Sequence, residues 1–272
     1  MTATVTQLAR AKINLSLEVL GRRADGYHEL HSIVAFADVG DRLVIEPAHA
    51  NELAVTGPFA ADVPLGENNI IWKAWAHLRG LMEVPFVSVQ LEKNLPVASG
   101  IGGGSADAAA MLRGLLHLCG RKLSDEQVIG LAVIGADVPV CFFGKPALLE
   151  GVGEKISVLT EMLPPALVLI NPLVPCSTAA VFAAMGLEAG QMRPASLRGE
   201  WRNDMTAAAI KVQPVISRVL SALSRTELFP VLMSGSGATC FGLASTFERA
   251  EAEARKLAAQ YPHWWVKAAR LG

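Results

Sequence analysis

Four glycines fall within five residues of this chain, at positions 100, 102, 103 and 104, and Ser105 follows them. The run comes after residues 86–91, which alternate as in a strand, and before apolar residues at helical spacing. Glycine lets a backbone bend sharply and approach a ligand closely. A helix that starts there directs free N–H groups and the positive end of its dipole outward. The sequence therefore predicts a phosphate site between a strand and a helix, with Ser105 as the helix N-cap.

Several well-known phosphate and nucleophile motifs do not match. Gly144 and Lys145 are followed by Pro146, so the P-loop pattern is not met. The dinucleotide pattern fails because Ser105 stands where its last glycine belongs. Protein kinase signatures do not occur, and neither Ser105 nor Ser236 lies in a GxSxG hydrolase motif. The glycine run belongs to another class of phosphate-binding protein.

Composition sets the class of molecule. With 272 residues, 51% hydrophobic and 18% charged, the chain can bury a core in about two domains of roughly 150 residues each. A net charge of -1 gives no field to attract nucleic acid. We see no signal segment and no unbroken membrane span, which predicts a cytoplasmic protein. The four cysteines, without any CxxC pair, are expected to be core thiols.

The pattern of elements favours an α+β fold, because strands and helices mix without regular βαβ units. Polar residues alternate along the first strand, so one of its faces is free to form a site. A restart of the apolar pattern near residues 155–165 predicts a domain boundary, giving domains 1–158 and 159–272. The predicted strands are 13–19, 27–36, 42–46, 86–91, 166–170, 230–233, 239–243 and 264–268. The predicted helices are 69–81, one from Ser105, one opened by a capping box at Ser124 and ended near Gly135, two flanking Pro214, and 246–260.

Three separated motifs identify a family. They are AKINL at residues 11–15, LPVASGIGGGSADAA at 95–109 and MSGSGAT at 233–239. The chain resembles the GHMP small-molecule kinase superfamily. Within it, GYH at 26–28, GADVP at 135–139 and EGVGE at 150–154 are similar to members that act on a cytidine-diphosphate-linked methylerythritol.

This resemblance implies a two-domain GHMP-kinase-like fold, with an N-terminal nucleotide-binding domain and a C-terminal ferredoxin-like substrate domain. It implies that ATP phosphorylates the 2-hydroxyl of diphosphocytidyl-methylerythritol, a step towards isoprenoid precursors outside the mevalonate route. Mg²⁺ is expected because it neutralises the phosphate oxygens in phosphoryl transfer. Its ligands stay unassigned, with Ser105 and Asp107 as candidates at the helix start.

The resemblance also implies roles for individual residues. Asp137 would accept the proton of the acceptor hydroxyl, and Lys12 would steady the charge on the moving phosphoryl group. Phe182 would stack on cytosine while His28 meets its edge. The residues expected at ATP are Asn69, Pro96, Gly100, Gly102, Gly103, Gly104 and Ser105. Those expected at the acceptor are Asn14, Tyr27, His28, Thr178, Phe182, Gly235 and Gly237.

Two alternatives stay open. One is another kinase of the superfamily, acting on homoserine or a mevalonate-like acid, against which Tyr27, His28 and Phe182 argue. The other is a nucleotide-binding regulator without catalysis, which would have no use for Lys12 and Asp137. We expect a small-molecule substrate, no nucleic acid or membrane partner, and a monomer or weak dimer.

Overall fold

A computed structural model describes residues 4–160, 163–196 and 201–272. These residues form two compact units, each built from separate stretches of chain. The first unit comprises the chain up to Ala11 with Gly40–Val97 and Gly102–Gly144. The second comprises Lys12–Val39, Ala98–Ile101 and Lys145–Gly272. Two long paired strands, β1 (Val5–Arg22) and β2 (His28–Pro47), therefore contribute residues to both units.

Among the described residues, the first unit combines four strand segments, which include the start of β1 and the end of β2, with four helices. Strand β4 (Val87–Glu92) pairs antiparallel with the end of β2 and parallel with β3 (Glu52–Thr56). The helices are α1 (Ile70–Leu81), α2 (Gly103–Cys119), α3 (Asp125–Gly130) and α4 (Val138–Phe143), with short 3₁₀ turns at Ala60–Asp62 and Leu131–Val133.

Helix α2 is the central helix of the first unit. Ten of its residues are buried, and it packs against α1 and α4. Gly114 allows a close approach to β2, because a Cβ atom there would lie 2.3 Å from Cδ1 of Ile45. This packing fixes the position of the glycine-rich helix start.

The second unit contains a four-stranded antiparallel sheet in the order β10, β7, β9, β8. Its strands are β7 (Ala166–Asn171), β8 (Val231–Met233), β9 (Cys240–Ala244) and β10 (Trp265–Arg270). Strand β5 (Ala147–Gly151) pairs with the start of β2 and with β6 (Lys155–Val158). The helices of the second unit are α5 (Thr178–Met185), α6 (Thr206–Val212), α7 (Val215–Leu223) and α8 (Phe247–Gln260).

Apolar burial organises this sheet. Every residue of β7 is buried, as expected for a short apolar strand in the middle of a core. Val168 and Ile170 share one hydrophobic cluster with Val219 of α7 and Leu257 of α8. The sheet is thus held by helices whose apolar stripes face it.

Several predicted elements are confirmed. Helix α1 has Asn69 as its N-cap, and the capping box joins the side chains and backbones of Ser124 and Gln127. Helices flank Pro214 on both sides. The helix after the capping box is confirmed at its start but ends at Gly130 rather than near Gly135. A 3₁₀ turn follows, and Pro139 lies in the first turn of a new helix.

Two local predictions were wrong. The predicted strands 27–36 and 42–46 form one strand, β2, which begins at His28 and does not include Tyr27. The intervening backbone stays paired, because Ala37 bridges Leu271 and Gly40 lies so close to Ala9 that a Cβ would be 2.3 Å from its carbonyl oxygen. Helix α2 is also not capped by Ser105. Gly102, with a φ of +65°, is the N-cap, and the next two glycines already form the first turn.

The predicted boundary after residue 158 stays a prediction, and residues 161 and 162 of the boundary segment lie outside the described residues.

No described helix combines the length and the apolar character that a membrane span requires. All four cysteines are free; Cys141, Cys176 and Cys240 are buried as predicted, whereas Cys119 is half-buried.

Candidate active site

The glycine-rich start of α2 lies in the first unit. Gly102 turns the chain through its left-handed conformation, and its carbonyl accepts the N–H of Ala106. The preceding N–H groups, those of Gly103, Gly104 and Ser105, precede the first helical hydrogen bond and have no acceptor within the helix. No acidic residue lies in this first turn. These donors and the helix dipole together suit an anion such as a phosphate group.

A buried charge network lies beneath this turn. Lys93, 3% exposed, follows β4 and places its Nζ atom 2.5 Å from Oδ2 of Asp41 and 2.6 Å from Oδ2 of Asp107. A Cβ atom added at Gly103 would lie 3.5 Å from the same ammonium. The positive charge therefore sits directly against the glycine turn.

The two aspartates of this network are not equivalent. Oδ1 of Asp41 accepts the backbone N–H groups of Asn94 and Leu95, whereas Oδ1 of Asp107 has no partner among the described residues. Burial raises the pKa of Asp107 to about 8; Lys93 pulls it down and Asp41 pushes it up. Burial opposes the charge on Lys93, yet attraction to Asp107 and Asp41 outweighs it and raises the pKa of Lys93.

Asn69 has a structural task of its own. It is 4% exposed; its Oδ1 accepts the N–H of Ile71, and its Nδ2 donates to the carbonyl of Pro64 at 2.6 Å. Its side chain therefore caps α1 and ties the preceding loop to the helix. If Asn69 contacts ATP as predicted, its side chain would have to use the second hydrogen of Nδ2 or the second lone pair of Oδ1.

Asp137 also belongs to the first unit and immediately precedes α4. It is half-buried and does not cap the helix with its side chain. A Cβ atom at Gly135 would lie 3.7 Å from Oγ of Ser105, so the turn that carries Asp137 lies beside the start of α2. Pro96, the remaining ATP candidate in this unit, is buried.

In the second unit, one buried serine joins two motifs that are 134 residues apart. Ser234 is fully buried, and its hydroxyl donates to the carbonyl of Gly100 at 3.0 Å. The same oxygen accepts the backbone N–H of Asn14 at 3.1 Å. Two residues earlier on the same strand, the N–H of Lys12 donates to the carbonyl of Ile101. The AKINL, SGI and SGSG segments therefore meet.

The glycines of these segments are needed for backbone contact. Gly100 has a φ of +77°, and a Cβ there would lie 2.6 Å from the carbonyl oxygens of Gly237 and Ser234. A Cβ at Gly235 would lie 2.7 Å from the carbonyl oxygen of Gly100. Any side chain at these positions would separate the two loops.

Asn203 supports the same loop. It is 9% exposed, and its Nδ2 donates to the carbonyls of Met233 and Gly235 at 2.7 and 2.8 Å. Its Oδ1 accepts the N–H of Met205. The segment before α6 thereby fixes both sides of the turn that begins at Ser234.

The amide of Asn14 has a defined orientation. Its Nδ2 donates to Oγ of Ser32, whose own hydrogen is used on the carbonyl of Ser16 at 2.6 Å. Because that hydroxyl cannot donate twice, the nitrogen of Asn14 must face it. Oδ1 of Asn14 is buried and accepts no hydrogen bond within the described part of the chain. This oxygen suits a ligand hydroxyl.

The predicted base-binding residues lie on a partly exposed surface of the second unit. His28 and Phe182 stack with ring centroids 3.9 Å apart and planes 9° from parallel, while Tyr27 is 64% exposed. Burial and the nearby Arg22 charge lower the pKa of His28, so its imidazole is neutral at pH 7. At the start of α5, the hydroxyls of Thr178 and Ser236 are 2.8 Å apart.

Comparison with known proteins identifies the family to which this chain belongs. The pattern described as GHMP kinases N terminal domain matches residues 69–145, and that described as GHMP kinases C terminal matches residues 190–263. The 4-diphosphocytidyl-2-C-methyl-D-erythritol kinase of Mesorhizobium japonicum is 44% identical over 96% of this chain and 94% of its own. The chain belongs to this family of GHMP kinases.

Further comparisons agree with this family. The kinase of the same name from Cereibacter sphaeroides is 46% identical over 97% of this chain and 98% of its own. A crystal structure of a 4-(cytidine 5'-diphospho)-2C-methyl-D-erythritol kinase has a TM-score of 0.81 and 33% identity, covering 98% of this chain and 99% of that one. The predicted α+β GHMP kinase fold is confirmed, and the chain is a kinase with ATP as co-substrate.

The predicted site residues of this GHMP kinase divide between the two units. The first unit holds Asn69, Pro96, Gly102, Gly103, Gly104, Ser105 and Asp137. The second holds Lys12, Asn14, Tyr27, His28, Gly100, Thr178, Phe182, Gly235 and Gly237. In the second unit, hydrogen bonds and backbone contacts bring Lys12, Asn14, Gly100, Gly235 and Gly237 together, and His28 stacks on Phe182.

Sequence reasoning missed the supporting residues Asp41, Lys93, Asn203, Ser234 and Ser236. Ser234 and Ser236 lay inside a recognised motif, and the SGSG pattern was the signal that could have identified them. Nothing local to Asp41, Lys93 or Asn203 distinguishes them from surface residues, because the partners that give them their role in the site are 14 to 54 residues distant.

Proposed function

We propose that this enzyme transfers the γ-phosphoryl group of ATP to the 2-hydroxyl of 4-diphosphocytidyl-2-C-methyl-D-erythritol. The observation that carries the proposal is the 44–46% identity, over nearly the whole length of both chains, with kinases named for that substrate. The similarity therefore covers both the predicted nucleotide motifs and the predicted acceptor motifs of this chain.

The glycine-rich turn is proposed to hold the phosphates of ATP. The N–H groups of Gly103, Gly104 and Ser105 form a set of donors that needs no side chain and tolerates the close approach of a polyanion. Gly100 and Gly102 give the preceding chain its two left-handed turns. Asn69 and Pro96 keep their predicted place on the ATP side.

In the proposed reaction, the acceptor hydroxyl oxygen forms a bond to the γ-phosphorus while the bond from that phosphorus to the β,γ-bridging oxygen breaks. ADP leaves with the electron pair, and the carboxylate of Asp137 takes the hydroxyl proton. Lys12 supplies positive charge for the transferring phosphoryl group. A half-buried carboxylate at a helix start and a lysine 5% exposed on a strand suit these tasks.

The acceptor is proposed to bind along the polar face of β1 and the aromatic surface of the second unit. Oδ1 of Asn14 is an acceptor for a sugar-alcohol hydroxyl, and Gly235 and Gly237 allow backbone contact with a phosphate. His28 covers one face of Phe182, so cytosine would stack on the other face or displace the imidazole. Tyr27 and Thr178 complete this side.

Mg²⁺ is proposed to enter bound to ATP. No group of three or more His, Cys, Asp or Glu side chains within residues 4–160, 163–196 and 201–272 is arranged to hold a metal ion. Asp107 does not fit as a ligand, because its carboxyl is buried against Lys93. Ser105 offers only a single hydroxyl, so we assign no protein ligand to the ion.

We further infer a small molecule as the only substrate class, a monomer or weak dimer, no nucleic acid partner and a cytoplasmic location. The net charge of -1 supports the absence of a nucleic acid role.

A panel of acceptors tests the proposed function. Purified protein would be mixed with Mg-ATP and, separately, diphosphocytidyl-methylerythritol, homoserine or mevalonate, and ADP release would be followed. Release with the cytidine compound alone is expected. Release only with another acceptor would refute the substrate, and nucleotide binding without release on any acceptor would favour a regulator.

A further inference from the structure

The loop that is proposed to hold ATP starts and ends on one buried charge network. Asp41 accepts the N–H groups of Asn94 and Leu95 at 2.6 and 2.8 Å, which fixes the chain as it leaves β4. Lys93, one residue before Asn94, reaches Asp107 in the second turn of α2. Seven residues separate Leu95 from Gly103, so both ends of this loop are tied to the same ammonium.

Burying three ionisable groups at one place is costly unless each is paired. Lys93, Asp41 and Asp107 are 3%, 0% and 4% exposed. Apolar side chains could fill the same space. Charged groups differ because their hydrogen bonds fix the relative positions of Lys93, Asp41 and Asp107. They aim one cation at the underside of Gly103, 3.5 Å from where a Cβ would be.

We propose that Lys93 and Asp107 are positioning residues of the ATP site, which hold the glycine turn in its anion-binding shape before the nucleotide arrives. The inference rests on the proposed role of that turn in binding ATP. A preformed set of donors loses less conformational freedom on binding, so the network would contribute to ATP affinity rather than to the chemical step. Neither residue needs to touch the nucleotide.

Asp107 offers a matched pair of variants. Asp107→Asn and Asp107→Ala both remove the titratable carboxyl group, but only asparagine retains an oxygen that can accept from Lys93. Because Oδ1 of Asp107 has no partner in the described residues, the alanine variant loses the contact with Lys93 and no other hydrogen bond of that side chain within this part of the chain.

We expect Asp107→Ala to raise KM for ATP about tenfold, the effect of losing one hydrogen bond to a charged group. The turnover number and KM for the acceptor should stay within about twofold, and Asp107→Asn should restore KM for ATP. If Asp107 had only a structural role, Asp107→Ala would lower thermal stability without raising KM for ATP selectively. Equal KM values for ATP in all three proteins, or proportional losses in every kinetic constant, would overturn the proposal.

Two further measurements keep the test decisive. If Asp107→Ala does not fold, the double variant Lys93→Met/Asp107→Asn takes its place. It removes the buried ammonium together with the carboxyl group, and the same two outcomes apply. Calorimetric binding of a non-hydrolysable ATP analogue needs no acceptor. Weaker binding in the variant would therefore support positioning even if diphosphocytidyl-methylerythritol were not the substrate.

Discussion

The hydroxyl of Ser234 donates to the carbonyl of Gly100 while it accepts the N–H of Asn14, so one buried oxygen sets the spacing of a strand and two loops. The Gly235 and Gly237 backbone lies against Gly100 with no room for a side chain. Asn14 and Gly235, which are predicted to contact the acceptor, depend on this one atom for their alignment.

Ser234→Ala should therefore lower the free energy of unfolding by about 1–3 kcal/mol, because a buried N–H and a buried carbonyl lose their partner. Urea denaturation measures this. Ser217→Ala is the matched control, since Ser217 is exposed and its hydroxyl donates to the nearby carbonyl of Pro214, and it should change stability by less than about 0.5 kcal/mol. Equal midpoints for the two variants would contradict the account.

Gly100→Ala should reduce the activity by more than about tenfold, because the new methyl group would meet two carbonyl oxygens at 2.6 Å and the backbone would be strained at positive φ. Gly80→Ala, at an open position in α1, should keep full activity and raise stability by about 0.5–1 kcal/mol. Steady-state rates of the two variants measure the effect on activity, and their melting curves measure the effect on stability. Normal activity in Gly100→Ala would show that the two loops need not touch.

Asp137→Asn should lower the turnover number by more than about a hundredfold and leave ATP affinity unchanged, because a general base typically contributes about 10²–10⁴. Rapid-quench turnover and nucleotide calorimetry separate the two effects. Asp125→Asn removes an exposed carboxylate from the first turn of α3 and should behave as wild type. A turnover number near normal would remove Asp137 from the mechanism.

Phe182→Leu should raise KM for the cytidine acceptor about tenfold, since stacking of a base on an aromatic ring contributes about 1–3 kcal/mol. KM for ATP should not change. Phe229→Leu, at a ring that is 85% exposed, controls for the loss of an aromatic residue from the second unit. An unchanged acceptor KM in Phe182→Leu would place the cytosine elsewhere.

The raised pKa of Asp107 predicts a stability effect with a defined sign. Its pKa rises from 3.8 to about 8 on folding, so between these values the folded chain retains a proton that the unfolded chain has lost. The free energy of unfolding should therefore fall as the pH rises from about 4 to 8 and level off above 8. Asp107→Asn should remove this slope, whereas Asp125→Asn should retain it. Parallel pH profiles for wild type and Asp107→Asn, from urea midpoints, would contradict the assigned shift.

Local patterns predicted much of the fold because they act over a few residues. The apolar stripe of α1, the capping box at Ser124 and the buried strand β7 all follow from spacing alone. The long strand β2 could not be predicted, since residues between its two predicted parts stay extended through partners distant in sequence, such as Leu271.

The candidate site was predicted as a set of motifs but not as a network. Gly100 and Ser234 could be recognised from the sequence because each lies in a cluster of glycines and serines. Lys93 and Asp107 acquire their meaning only when α2 packs and water is excluded, because burial creates both their pairing and the shifted pKa.

The central claim is phosphorylation of the cytidine-linked acceptor, and phosphorus NMR of a reaction with Mg-ATP tests it most directly. The account predicts that diphosphocytidyl-methylerythritol keeps its diphosphate resonances and gains one phosphomonoester resonance as ADP appears in equal amount. Formation of inorganic phosphate with an unchanged acceptor, or a phosphomonoester only when homoserine or mevalonate is supplied, would contradict it.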